Sequence, residues 1–129
     1  MVGCTLIAFA GVCSLALVFF ATDINVPGEF GMTPRTVIGT VHVFFATAGF
    51  IAILLGMLLL TPWINRTLPS RSATVFLIIA CVGLVLLALG LLVFPRVVGV
   101  TERICLIGIL GWAFEVCRVT RRRPQLISA

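Results

Sequence analysis

Four long apolar stretches, separated by short polar segments, make up most of this chain. The sequence has 129 residues, of which 61% are hydrophobic and 10% are charged, whereas an ordinary soluble domain carries about 25% charged residues. A helix needs about 20 predominantly apolar residues to cross a bilayer. The pattern excludes a soluble globular protein. It predicts an all-α, polytopic integral membrane protein whose four transmembrane helices form an up-down bundle, a single domain over residues 1–129.

The ends of the apolar stretches set the predicted helix limits. We expect helices over about 2–21, 34–60, 73–94 and 101–118, followed by a basic cytoplasmic tail over 119–129. Thr61 and Pro62 are expected to end the second helix, because proline disrupts a helix interior. The first stretch lacks the basic segment that begins a signal peptide, so we expect it to be a retained helix.

The cations indicate how the helices are oriented. All nine cations are arginines, and the net charge is +5. One predicted side of the membrane collects six of them, and the other side three. The side with six has Arg66, Arg71, Arg118, Arg121, Arg122 and Arg123, and the side with three has Arg35, Arg96 and Arg103. The positive-inside rule then predicts a plasma-membrane protein with both termini in the cytoplasm.

The same arginines bear on the expected partners. They flank apolar helices instead of covering an exposed face, so the expected partner is the lipid bilayer and not nucleic acid.

Small residues at helical spacing predict close helix packing. The second helix carries Ala48, Gly49, Ala52 and Gly56, and the fourth carries Gly108 and Gly111. Such residues let helix backbones approach each other within a membrane. They lie on more faces than one short bundle would cover, which predicts a homo-oligomer or a partner membrane protein.

His42 is the only histidine. It shares a helical stripe with Gly49 and Gly56, at intervals of seven residues, and is therefore expected to point into the bundle. Two interpretations remain open: a packed, hydrogen-bonded histidine near the outer interface, or a ligand-binding or proton-handling residue.

Glu102 and Arg103 begin the fourth helix and also allow two interpretations. They are paired charges below the outer membrane boundary, or Thr101 is the N-cap and Glu102 lies in the first turn. With Asp23 at the rim, they form a candidate polar cluster with His42. We expect His42 to approach Glu102 or Arg103 within about 4 Å, or through one bridging water.

Two further features of the fourth helix are interpreted as structural. Glu115 lies three residues before Arg118, a spacing that allows an ion pair within a helix. Trp112 lies inside the apolar stretch and is expected to pack against other helices.

Motifs for catalysis are absent from the sequence. There is no G-x-S-x-G, H-E-x-x-H or P-loop pattern, and the five cysteines fall in apolar runs without a C-x-x-C pair. No cofactor, metal site or catalytic residue is therefore expected.

Two segments carry distinctive patterns. The first, FFATDINVPGEFGMTPRTVIGTVHVFFATAGF, joins a helix ending in F-x-T-D to a Pro/Gly loop and G-x-x-H-x-x-x-A. The second, GVTERICLIGILGWAFEVCRV, has G-x-x-E-R, an apolar run, Trp and a basic end. Both resemble a bacterial and archaeal membrane family, domain of unknown function 998, and the likeness covers about residues 15–118. It implies motif positions at Asp23, Gly39, His42, Ala46, Glu102, Arg103 and Trp112. Members of that family are similar to six-helix proteins, and this sequence resembles their last four helices and departs from the pattern in the first two.

Three functional hypotheses follow. The first is an integral membrane protein that binds or senses a small ligand or lipid, or acts as a partner subunit, through the outer polar cluster. The second is a membrane-embedded, lipid-modifying metal hydrolase that uses His42 and nearby acids. The third is a small transporter or a fragment of one, although no charge lies in the middle of the first three helices and no broken helix is expected.

Overall fold

The computed structural model describes residues 2–23, 34–67, 71–93 and 97–127. These residues form four helices and no strand: α1 (Val2–Phe19), α2 (Val37–Thr67), α3 (Ser72–Val93) and α4 (Val98–Ile127). The prediction of an all-α fold is confirmed.

Three of these helices are long and apolar enough to cross a membrane: α1, α2 over Val37–Arg66, and α3. The 22 residues of α3 extend about 33 Å at 1.5 Å per residue, close to the thickness of a bilayer core of about 30 Å. Helix α4 differs because every stretch of 18 residues within it contains at least three charged residues.

The helices pack as two antiparallel hairpins. Helix α1 packs along α2, and α3 packs along α4, while α2 also contacts both α3 and α4. Within the described ranges, α1 contacts α2 alone. Gly3 lies against Leu60, and Gly90 lies near Val98. The starts of α1 and α3 therefore share one end of the molecule with the final turns of α2 and α4, here called the termini end. Asp23, Thr36 and the start of α4 share the other, here called the loop end.

Small residues hold the α1/α2 hairpin together. An added Cβ at Gly49 would lie 3.1 Å from the Cβ of Cys13, and one at Gly56 would lie 3.1 Å from the carbonyl oxygen of Gly3. Ala52 is buried and Ala48 is half-buried. The small-residue stripe of α2 is thus used inside the chain, against α1.

Helices α3 and α4 approach each other more closely than α1 and α2 do. An added Cβ at Gly83 would lie 2.7 Å from the Cα of Cys105, and one at Gly108 would lie 2.7 Å from the Cα of Ala80. At Gly111 the same atom would overlap the ring of Phe76. Because backbone atoms meet at these points, the two helices can approach this closely only with glycine at 83 and 108.

The hairpins pack against each other mainly toward the termini end. A buried cluster joins residues of α2 to residues of α3 and α4 there. Its members are Leu54, Met57, Ile64, Ala73, Ala80, Cys105, Ile109 and Trp112. This core fixes one end of the interface between the hairpins, and the described residues show no comparable packing at the other end.

The second helix does not end at Thr61 and Pro62, so that prediction is wrong. Helix α2 continues to Thr67 with Pro62 inside it. The Thr61 hydroxyl donates a hydrogen bond to the Met57 carbonyl at 2.6 Å. Beyond the proline, Ile64 is buried in the core, and Asn65 donates to the Thr74 hydroxyl at 2.6 Å. Tertiary contacts therefore carry the helix through a residue that disfavours it.

The other helix limits also differ from the predicted ones. Helix α2 begins at Val37 and not at Pro34, because the Thr36 hydroxyl accepts a hydrogen bond from the Gly39 N–H at 2.9 Å and acts as N-cap. Helix α1 ends at Phe19, two residues before the predicted end. Helix α3 covers Ser72–Val93 against the predicted 73–94.

Helix α4 is longer at both ends than the predicted 101–118. It begins at Val98, so Thr101 is not its N-cap: the Thr101 hydroxyl donates to the carbonyls of Val97 and Val98 at 3.3 and 2.9 Å. Glu102 accordingly lies beyond the first turn. The helix then continues to Ile127 through most of the predicted basic tail.

Candidate functional site

A cavity of about 320 Å³ lies between the two hairpins, toward the loop end. Helix α2 forms one wall with residues between Gly39 and Ile51, and α3 forms the other with residues between Leu84 and Leu91. Most of the side chains on these walls are apolar, among them Val43, Phe50, Leu84, Leu87 and Leu91. Polar residues occur mainly at one end: Thr22, Asp23, His42 and Glu102.

The hairpins are joined firmly at the end away from the cavity. The buried Trp112 indole N–H of α4 donates to the Thr61 hydroxyl of α2 at 2.9 Å, and Thr61 in turn bonds Met57. Trp112 therefore packs inside the bundle, as its position in the sequence predicts. Toward the loop end, no comparable set of buried side chains joins the hairpins within the described residues, and the space between them is left open.

Asp23 acts as a remote cap for α2. Its Oδ2 accepts hydrogen bonds from the backbone N–H of Arg35 at 2.7 Å and of Thr36 at 3.2 Å. The Thr36 hydroxyl donates to Asp23 Oδ1 at 2.6 Å. A carboxylate at this position satisfies N–H groups that precede the first turn, and its negative charge interacts favourably with the positive end of the helix dipole.

The same hydrogen bonds lower the pKa of the Asp23 carboxyl from its ordinary value. The Thr36 hydroxyl is the largest cause, followed by the backbone N–H groups of Arg35 and Thr36. Gly39 is required nearby because a Cβ there would overlap the carboxylate of Asp23. Asp23 lines the cavity, yet its oxygens are already engaged by the start of α2.

His42 is held by the end of the first helix. Its Nδ1 lies 2.6 Å from the carbonyl oxygen of Phe20. A carbonyl can only accept, so Nδ1 carries the proton and Nε2 remains as an acceptor in the neutral ring. The ring is half-buried and lines the cavity. Backbone fixation of one nitrogen leaves the other one oriented for a second partner.

The side chains of Glu102 and Arg103 lie on different sides of α4. Glu102 is half-buried and lines the cavity, whereas Arg103 is exposed and does not line it. Across the described residues, no hydrogen bond or ion pair joins either one to His42. The direct contact predicted from the sequence is therefore not found, because His42 bonds the Phe20 carbonyl and Arg103 lies outside the cavity.

The expected pair in α4 is present. Arg118 Nη2 and Nε lie 2.9 and 3.1 Å from Glu115 Oε2. The Glu115 side chain is only 8% exposed, while that of Arg118 is 40% exposed. The pair lies near the termini end, away from the cavity, and neutralises a buried carboxylate.

No group of three histidine, cysteine or acidic side chains that could hold a metal ion occurs within the part of the chain that the structure describes. His42 and Glu102 share the cavity, but the third acid there, Asp23, is committed to α2.

Sequence reasoning missed two parts of the site. Thr36 was not recognised as the N-cap that binds Asp23, although a threonine directly before an apolar run is a typical start signal. The cavity itself has no local signal, since its two walls lie about 40 residues apart in sequence and depend on how the hairpins pack.

Comparison with known protein families, with curated protein sequences and with solved structures finds no match to this chain.

Proposed function

We propose that this chain is an integral membrane protein that binds a small amphiphile or a lipid chain in the cavity between its hairpins. The observation that carries the proposal is the division of the cavity into apolar walls and a polar end. Its volume of about 320 Å³ lies at the lower end of the about 300–1,000 Å³ typical of ligand sites. Ile51 and Leu91 line the cavity and are 54% and 42% exposed, which suits lateral entry of an apolar chain from the membrane.

The positions that resemble domain of unknown function 998 agree with the location of the cavity. Five of its seven motif positions line the cavity: Asp23, Gly39, His42, Ala46 and Glu102. These positions come from two distant segments of the sequence and meet at one place. We propose membership of that family on this basis, with Trp112 as the residue that closes the other end of the interface.

We propose that α4 is a fourth membrane span, which completes the up-down bundle. Gly83 meets Cys105, and Ala80 meets Gly108, so the middle of α4 lies at the depth of the middle of α3. Between the two helix ends, Ile107, Leu110 and Phe114 expose large apolar side chains. Glu102 and Glu115 lie about 20 Å apart along the helix, inside a core of about 30 Å, and this accounts for the burial and pairing of Glu115.

The arginine distribution supports a cytoplasmic termini end in the plasma membrane. Arg66, Arg71, Arg118 and Arg121 lie toward that end, whereas Arg35 and Arg103 lie toward the loop end. Reporter fusions after the last residue test this orientation. A C-terminus found outside the cell would contradict it.

The uncovered face of α1 is where a partner subunit or a second copy of the chain would bind. The small residues of α2 and α4 are used within the chain, but α1 is covered by α2 on one side only among the described residues. Lipid or another membrane helix would cover the remaining face. Cross-linking in membranes that yields monomer alone would argue against a partner.

No specific observation favours the metal hydrolase or the transporter. The hydrolase lacks three converging metal ligands within the described ranges. Pro62 does lie inside α2, but the helix continues through it and is not broken there.

Binding of a dodecyl-chain probe to the full chain in phosphatidylcholine nanodiscs tests the proposed function. Ala46 lines the cavity, so Ala46→Trp should fill it and abolish saturable binding. Ala8 is exposed on α1, and Ala8→Trp is the matched control that should bind like the wild type. Equal binding by the wild type and folded Ala46→Trp would overturn the proposal.

A further inference from the structure

We infer that the ligand carries a positively charged, hydrogen-bond-donating head group, such as a single-chain alkyl ammonium. This inference rests on the proposed function and names the class of ligand at the same site. It follows from the charges that line the cavity and from the partners they already have.

Among the residues that the structure describes, two charged side chains line the cavity, and both are acidic, namely Asp23 and Glu102. The cations closest to them in sequence, Arg35 and Arg103, are exposed and do not line it. Of the described lining residues, an anionic head group would therefore meet two carboxylates and no arginine, while a cationic one would be attracted by both carboxylates.

The two carboxylates differ in what they can still bind. Asp23 accepts three hydrogen bonds from Arg35 and Thr36 at the start of α2. Glu102 has no hydrogen-bond or ion-pair partner among the described residues, although it is half-buried beside apolar walls. A carboxylate in such a place is costly unless it is paired, and a ligand cation would supply the missing pair.

His42, on α2, adds a second acceptor in the same cavity. Its Nδ1 is occupied by the Phe20 carbonyl, which leaves Nε2 of the neutral ring to accept a hydrogen bond. An ammonium group with N–H donors can donate to Glu102 or to His42, whereas a quaternary ammonium has no N–H to donate and can use only the charge. The apolar walls formed by Phe50, Leu84 and Leu87 would hold the alkyl chain.

The test compares dodecyl probes that share one chain and differ in the head group, in the same nanodiscs. Dodecylammonium, dodecyltrimethylammonium, dodecylphosphocholine and dodecyl sulfate are each titrated against wild type and Ala46→Trp, and the difference between the two proteins measures binding in the cavity. Dodecylammonium should bind about tenfold more tightly than dodecyl sulfate, as expected for one charge-assisted hydrogen bond. Dodecylphosphocholine should resemble the sulfate, which distinguishes a simple amine from a zwitterionic lipid head group.

Glu102→Gln should reduce that preference to about twofold or less, because it keeps the side-chain size and removes the charge. Arg103→Gln is the matched control: it removes a neighbouring charge outside the cavity and should preserve the preference. Two results would overturn the inference: equal affinities for all head groups, or a preference that survives in folded Glu102→Gln. In either case, binding that Ala46→Trp abolishes would still support the proposed function. If Glu102→Gln does not fold, the order of the four probes on the wild type decides alone, and a sulfate that binds as tightly as the ammonium refutes it.

Discussion

Replacing Gly108 with alanine should separate the α3/α4 hairpin. The new Cβ would lie 2.7 Å from the Cα and 2.8 Å from the Cβ of Ala80, whereas ordinary contacts begin at 3.4 Å. The backbone N of Ala80 would be closer still, so the helices must move apart by at least about 0.7 Å at this crossing, because backbone atoms of a helix cannot rotate away. Overpacking of this kind destabilises by about 1–3 kcal/mol, and we expect a value near the top of that range.

Glycine positions without neighbours provide the control. An added Cβ meets nothing within 4 Å at Gly11 in α1 or at Gly99 in α4. Because alanine favours a helix over glycine by about 1 kcal/mol, Gly11→Ala and Gly99→Ala should be neutral or stabilising. The free energy of unfolding, measured by denaturant titration in mixed micelles, compares the three variants. A Gly108→Ala protein as stable as the Gly99→Ala protein would refute the packing described for this hairpin.

Three other side chains give further predictions. Asp23→Asn should lower stability at neutral pH. The folded-state pKa of Asp23 is lowered, so the carboxylate stabilises the fold above the unfolded pKa of about 3.9. This stabilisation is lost as the pH falls through the folded-state pKa. The free energies of unfolding of the variant and the wild type should therefore converge at acid pH. A constant difference at all pH values would contradict this. Trp112→Phe should cost about 1 kcal/mol through its lost hydrogen bond to Thr61; an unchanged free energy of unfolding would show that this bond does not join the hairpins. Arg118→Gln should destabilise by about 1–2 kcal/mol, less than a fully buried pair because the arginine is 40% exposed, and adding Glu115→Gln should restore most of the loss; no recovery in the double variant would disprove the pairing.

The general architecture can be predicted from the sequence because hydrophobic length decides it. The apolar stretches and the prolines and polar residues between them place the starts of four helices within about three residues, and the spacing of Glu115 and Arg118 predicts their pair. The ends of α2 and α4 lie well beyond the predicted limits. The end of α2 cannot be predicted locally. Pro62 opposes a helix, and only the burial of Ile64 against the other hairpin carries the helix past it.

The candidate site is predictable in its residues but not in its geometry. Asp23, His42 and Glu102 are singled out by the cost of placing polar groups beside a membrane, and all three line the cavity. Their partners are different from the expected ones, because backbone groups compete for them. His42 donates a hydrogen bond to the Phe20 carbonyl, and Asp23 accepts hydrogen bonds from the N–H groups before α2. The Phe20 carbonyl is available because the last carbonyls of a helix have no partner within it, and its position beside His42 depends on how α1 packs against α2.

Photo-crosslinking tests the central claim most directly, since it reports where an alkyl chain lies. An alkyl ammonium with a diazirine in its chain is irradiated with the full protein in nanodiscs, and the labelled residues are mapped by mass spectrometry. The cavity predicts saturable labelling of Phe50, Leu84 and Leu87, which excess dodecylammonium suppresses and Ala46→Trp abolishes. Labelling spread over the outward-facing Leu15 and Leu110, with none that competes on the cavity walls, would contradict the claim that the space between the hairpins is a binding site.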